Sequence, residues 1–161
     1  GLAHEVGIHV FKYEPEHELI VRDYIDRLAH TPSDKFRIVE RDLYKIFLEI
    51  LEEKKVLSAV PSLEEKKGKD YLLAQLQKVA TQEAFLAKMK YEPHRHGDVL
   101  FLTGVGKVYP FMRSHKMLNS MQQVFSDVPI VLFYPGEFNG QDLILFGKFR
   151  DGNYYRAFNL L

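Results

Sequence analysis

Apolar positions along this chain switch between two spacings, and the switching predicts an alternation of strands and helices. Residues 6–12 (VGIHVFK) are rich in β-branched and aromatic side chains and predict a strand. Glu14-Pro15-Glu16 then opens a helix, since proline suits the first helical position and carboxylates suit the positive end of the dipole. Leu19, Ile20, Tyr24, Ile25 and Leu28 recur at three- and four-residue steps and predict one buried stripe, which Thr31-Pro32-Ser33 ends. Residues 36–43 (FRIVERDL) set Phe36, Ile38 and Glu40 against Arg37, Val39 and Arg41, a second strand. Asp42 can cap the next helix, whose Ile46, Phe47, Ile50 and Leu51 share one face. Strand, helix, strand, helix at this spacing predicts parallel strands joined by right-handed crossovers.

The second half continues the alternation. Pro61-Ser62 opens a third helical region, with Ser62 and Glu65 at capping-box spacing. The charged run 64–69 reads as a solvated face broken at Gly68, and the stripe Leu72, Leu76, Val79 runs on toward Phe85, Leu86 and Met89. This helical insertion, at about 61–91, is longer than a crossover needs; it reads equally as a helical hairpin and as a lid or docking surface. Residues 99–103 form a strand, Gly104-Val105-Gly106 a turn, and 109–125 a helix burying Phe111, Leu118, Met121 and Phe125. Residues 128–134 (VPIVLFY) are nearly all apolar, as in a strand covered on both faces, with Pro135-Gly136 as its stop. Residues 143–149 and 154–158 flank Asp151-Gly152-Asn153, a hairpin signal. The expected fold class is α/β: a three-layer sandwich with a mainly parallel, Rossmann-like sheet, helices on both faces and a C-terminal β-hairpin at the sheet edge.

Composition narrows the classes of function. A chain of 161 residues fits a single domain over 1–161. Lys and Arg number 22, as do Asp and Glu, so no global basic field recruits nucleic acid. Cysteine is absent, which excludes disulfides, thiolate chemistry and Cys-ligated zinc. No apolar run approaches the roughly 20 residues of a membrane span, and the first residues lack the basic and apolar regions of an export signal. A cytoplasmic protein is expected.

In open α/β sheets, ligands meet the crest where strands end and helices begin, so the stretch 98–115 (DVLFLTGVGKVYPFMRSH) is the first place to seek chemistry. Gly104-Val105-Gly106-Lys107 has a generic capacity for anions at a helix start. A Walker A loop fails, because it needs four residues between its glycines and a Ser or Thr after the lysine, where Val108 stands. The dinucleotide pattern fails too, with Tyr109 in place of its third glycine. Ser114 and His115 are adjacent on a helix, about 100° apart, and cannot act as nucleophile and base together. Arg113 suits a carboxylate or phosphate, and Glu137 on the same crest is its best acidic partner, as a structural pair rather than a catalytic one. His94 and His96 could start a metal site only with a third ligand from elsewhere, so no metal is assigned. No catalytic residue and no cofactor are assigned either. Two other classes stay open: a nucleotide- or phosphate-binding enzyme using loop 104–107, Arg113 and Glu137, and a nucleic-acid-binding accessory protein using Lys107, Arg113, Lys116, Lys148 and Arg150.

The segments FLTGVGKVYPFMRSHKMLNSMQ, VPIVLFYPGEFNGQDLILFGKF and DGNYYRAFNL together resemble the BrxB family of BREX bacteriophage-exclusion systems. HVFKYEPEHELIVRDYI and DLYKIFLEILEEKKVL extend the resemblance over the N-terminal part. The resemblance implies a small subunit of a defence complex that also contains a DNA methyltransferase, an AAA+ ATPase and the alkaline-phosphatase-like protein PglZ. It implies PglZ and the ATPase as partners; the lack of an apolar span and the neutral net charge leave no membrane, and nucleic acid only as a weak or indirect partner. The family has no agreed catalytic residues. Its recurrent motif positions correspond here to Gly104, Gly106, Pro110, Arg113 and Ser114, to Pro135, Gly136, Glu137 and Gly140, and to Asn153, Tyr154, Tyr155 and Arg156. The residues expected to bind a partner or ligand are Gly104, Gly106, Lys107, Arg113, Ser114, Glu137, Asn153 and Tyr155. The resemblance also implies a helical segment before the first strand, which this chain is expected to lack.

Overall fold

The computed structural model describes residues 7–108, 114–138, 143–145 and 149–151, with side chains described for 7–108 and 118–136. Four strands run parallel: β1 (Ile8–Tyr13), β2 (Arg37–Asp42), β3 (Asp98–Thr103) and the first part of β4 (Ile130–Phe138). β4 lies between β1 and β3, and β2 lies beyond β3. Seven α-helices are described: α1 (Glu18–Ala29), α2 (Leu43–Glu53), α3 (Val60–Lys67), α4 (Lys69–Val79), α5 (Gln82–Met89), α6 (Val105–Val108) and α7 (Ser114–Val124). The α/β sandwich expected from the sequence is the observed architecture.

Strand alternation sends side chains to two cores. Ile8, Val10, Leu100, Leu102, Ile130 and Leu132 pack on one face with Ile46, Phe47, Ile50 and Leu51 of α2, Leu72 and Leu76 of α4, Phe85 and Met89 of α5, and Leu118 and Met121 of α7. Phe101, Val131 and Phe133 turn the other way and, among the described residues, are covered by α1 through Val21, Ile25 and Leu28. Each large apolar side chain fully buried in this way contributes about 1.5–3 kcal/mol. The insertion therefore packs onto the larger core through its predicted stripe. Among the described residues, no helix is long and apolar enough to cross a membrane.

Several local expectations need correction. On α1 the buried stripe is Val21 and Ile25, with Leu28 half-buried, while Leu19, Ile20 and Tyr24 are exposed. At 3.6 residues per turn, Leu19 and Ile20 lie about 120° and 140° round the helix from Ile25, too far to share its face. Ser62 does not cap a helix: α3 starts at Val60 with Pro61 in its first turn, placing Ser62 inside. Pro135-Gly136 does not end β4. The strand runs to Phe138 and changes partner there, from parallel β1 at Pro135 to antiparallel β5 (Leu143–Leu145) at Gly136. Proline removes one donor from a ladder, which ends a pairing without ending the strand. β5 pairs antiparallel with β6 (Phe149–Asp151), so the C-terminal antiparallel pair is present, but both ends of the predicted first strand, 143–145 and Phe149, belong to different strands of it. The predicted second strand, 154–158, lies outside the described residues.

Candidate functional site at the crest of the sheet

Tyr13, Asp42, Thr103 and Pro135 stand at or near the C-terminal ends of the parallel strands, where the crest is expected. A cleft of about 270 Å³ opens there, between the start of α1 and the β3–α6 turn. Its walls are Tyr13, Pro15, Glu18, Arg22, Asp42, Pro135 and residues 104–107.

Gly104 is where the sequence fixes the turn. Its φ is +76°, and a Cβ would collide with Asp42 Oδ1 and stand 2.9 Å from the Tyr44 nitrogen. Asp42 is held in that place because Oδ1 accepts from the backbone N–H of Tyr44 (2.9 Å) and Lys45 (3.3 Å), capping α2 as predicted. The glycine thus lets the β3–α6 turn close over the cap of α2. Gly106 has a different part: it lies within α6, so the turn is made at Gly104 alone. Lys107 directs its ammonium at the Tyr44 ring, 5.2 Å from the centroid.

Beneath the cleft, charges are paired across elements. Arg22 of α1 grips Glu40 of β2 with two hydrogen bonds, 2.6 and 2.7 Å, and also donates to Asp26. Thr103 of β3 donates to the same Glu40 at 2.7 Å. Burial pushes the Glu40 carboxyl up, but the Arg22 and Thr103 hydrogen bonds prevail and bring it below the usual glutamate value. The Glu40 hydrogen bonds hold the Arg22 guanidinium protonated. The Tyr13 hydroxyl donates to Glu18, and burial followed by that carboxylate raises its ionisation well above the ordinary tyrosine value.

A second polar cluster lies at the opposite end of β3. The buried Asp98 carboxylate accepts two bonds from Arg37 (2.8 and 2.7 Å), one from the Tyr91 hydroxyl (2.6 Å) and one from the Arg95 backbone (3.0 Å). Arg37 holds this carboxyl far below the ordinary aspartate value. Burial and Asp98 push Tyr91 up to about 12. His94 pairs with Asp127 at 2.8 Å, and its ring packs on Phe125. Sequence reasoning singled out neither Arg22–Glu40–Thr103 nor Arg37–Asp98–Tyr91. The one local signal was Glu40 interrupting the apolar side of β2.

Of the expected site residues, Gly104, Gly106 and Lys107 come together at the cleft. Ser114 is the first residue of α7, and Glu137 lies in β4 opposite Ile144; the side chains of both lie outside the description. Arg113, Asn153 and Tyr155 lie outside the described residues altogether, as do Pro110, Gly140, Tyr154 and Arg156.

The sequence pattern of the family described as BREX protein BrxB matches residues 39–160, from within β2 through the crest turn to the C-terminal segment. A BREX protein BrxB of Bacillus cereus (strain H3081.97) is 40% identical over 168 aligned positions, which take in all of this chain and 86% of that protein. A second, from Escherichia coli O9:H4 (strain HS), is 30% identical over 164 positions, again all of this chain and 81% of its relative. No solved structure matches the chain. Since both the crest turn and the strands that carry it fall inside these matches, this chain belongs to the BrxB family of BREX proteins.

Proposed function

We propose that this protein is a non-enzymatic subunit of a BREX phage-defence complex that binds other BREX proteins, among them a PglZ-like protein and the AAA+ ATPase, through its crest. The observation that carries this reading is that each of these crest charges is already engaged within the fold. Arg22 is held by Glu40 and Asp26, Asp42 by the start of α2, and Lys107 by the Tyr44 ring. A phosphate-transfer site would aim such cations into the cleft to meet developing charge. Paired and braced side chains suit a surface of fixed shape, on which binding needs little reordering. On this reading Arg113, Ser114, Glu137, Asn153 and Tyr155 complete the contact surface around residues 104–107, and the whole of 1–161 acts as one domain.

Co-purification of the tagged protein with PglZ or the ATPase tests it. Arg113→Ala and Glu137→Ala are each expected to weaken recovery about tenfold, the effect of losing a charged anchor in an interface. Undiminished recovery in both would remove the crest as the contact surface. Calorimetric titration with ATP, GTP and a dinucleotide should give no saturable heat, and a saturable signal would establish the phosphate-binding reading instead.

A further inference from the structure

The outward side of α1 carries a feature that neither the crest nor the core uses. Leu19, Ile20 and Tyr24 are 83%, 70% and 50% exposed, the largest exposures among the described large apolar residues. Ile20 and Tyr24 are one turn apart and share a flank; Leu19 lies on the other side of Asp23. Tyr24 is braced from beneath. Its ring stacks on Phe11 at 6.3 Å, Phe11 packs on Phe133 at 5.2 Å, and Phe133 meets the buried Phe101 at 4.9 Å. An aromatic fixed in this way presents area to a partner at little cost in conformational entropy.

We infer that the outward surface of the first two turns of α1, Leu19, Ile20 and Tyr24 framed by Glu14, Glu16 and Asp23, is a docking surface for a basic segment of a partner protein. The charge around the patch decides the occupant. Residues 14–30 hold five carboxylates and two arginines, a net charge of −3 in a chain whose total is zero. Glu14 and Glu16 are exposed and have no ion-pair partner among the described residues. Asp23 pairs with Arg27, yet its side chain is still 60% exposed. A lysine- or arginine-rich segment with an apolar anchor would satisfy both features. A second copy docking through the same patch would bring two acidic rims together, which a symmetric interface cannot avoid. Nucleic acid and anionic membranes would meet the same repulsion. The other exposed large apolar residues, Leu57 and Tyr71, are 36% and 43% exposed and flank a segment where lysines balance carboxylates, so they carry no such preference.

This inference rests on the reading of the chain as a partner-binding BREX subunit, and its test separates the two. The tagged full chain is coexpressed with the other BREX proteins of its own system and recovered at low and high salt. Leu19→Ser/Ile20→Ser should reduce recovery of one partner about tenfold or more, because both apolar contacts are lost. Glu14→Lys/Glu16→Lys should also reduce recovery and remove the salt sensitivity shown by the wild type. Both variants should keep a thermal midpoint within about 2 °C of wild type, being changes to exposed side chains. Full recovery in both α1 variants, with loss in the crest variants, overturns this inference and leaves the partner-binding reading intact. A wild type that recovers no BREX protein overturns both. A wild-type dimer in sedimentation that Leu19→Ser/Ile20→Ser disperses, or binding to phosphatidylserine-containing vesicles that it abolishes, overturns the inference in favour of a second copy or a membrane.

Discussion

The two faces of the sheet are built from the same alternating strands but are finished differently. One is covered by helices from both later crossovers, so that Leu100, Leu102, Ile130 and Leu132 are almost wholly enclosed. The other is covered, among the described residues, by α1 alone. Phe101, Val131 and Phe133 are buried there, while Phe11, Tyr13, Ile38 and Val99 are only partly covered. The same face holds the Arg22–Glu40–Thr103 cluster and carries the outward apolar residues of α1. Burial on the first face is thus deep enough to provide most of the stability. On the second, a single helix closes a smaller core and has apolar side chains to spare. A face with surplus apolar surface and a polar brace is a reasonable place for partners, because docking there leaves the main core undisturbed.

Cavity substitutions in the two cores test that asymmetry most strongly. Phe85, fully buried and stacked on Phe47 at 6.5 Å, belongs to the larger core. Phe85→Ala should cost about 3–5 kcal/mol in urea unfolding, the range for deleting a phenyl ring from a close-packed interior. Ile25→Ala on the α1 face should cost about 2 kcal/mol, the low end for an isoleucine, since half-buried neighbours can settle into the gap. Since Ile25→Ala removes fewer buried atoms, losses as large as that of Phe85→Ala would mean that the α1 face is packed at least as tightly as the larger core.

At the crest the same comparison becomes a question of backbone. Gly104 joins β3 to the helices of the larger core, in a left-handed conformation with Asp42 and the Tyr44 nitrogen against it. Gly104→Ala combines the cost of a positive φ with displacement of the α2 cap, and should destabilise by about 2 kcal/mol. Circular dichroism melts would show it as a lowered midpoint. An unchanged midpoint would mean that the turn relaxes freely, and that the glycine serves something other than the close approach of the two chain segments.

Local pattern made the middle of this fold legible. The stripe Ile46, Phe47, Ile50 and Leu51, with Asp42 ahead of it, led to a helix with that face and that cap, because every contact involved lies within one turn or two. The parallel strands followed from their spacing. What escaped was phase and reach. α1 offers more apolar residues than one face can take, so periodicity alone chose Ile20 where packing against Phe101 and Val131 chose Val21. β4 continues through Pro135-Gly136 because it exchanges one neighbour for another, and a sequence does not display its neighbours. The polar clusters were hidden for the same reason: Glu40 meets Thr103 across 63 positions, and Arg37 meets Asp98 across 61. At the candidate site, the family's motif positions were readable as a pattern, and Gly104 could be read as part of a strand–helix turn. The bracing of Lys107 by Tyr44 and of Arg22 by Glu40 needed the fold.

The smallest expected effect is the most specific to the α1 face. Glu40→Gln keeps the shape of the side chain and can still accept from Thr103, but it sets an amide N–H₂ against the Arg22 guanidinium. Because the cluster is partly solvated, with Arg22 34% and Glu40 23% exposed, the loss at neutral pH should be about 1 kcal/mol. Its pH dependence has a defined sign. Glu40 ionises below the ordinary value of 4.5 in the folded protein, so on acidification the unfolded chain takes up this proton first. The Glu40 contribution is therefore complete above about pH 4.5 and falls away as pH drops through the folded value. Urea midpoints of wild type and Glu40→Gln should differ at pH 7 and converge below that threshold. Asp98, whose ordinary value is 3.8, is retained in both proteins, so its own acid loss cancels from the difference. A gap that stays constant down to pH 3 would assign the effect to packing. One that closes would assign it to the charge that ties α1 to the middle of the sheet, and so to the brace beneath both the crest cleft and the proposed docking surface.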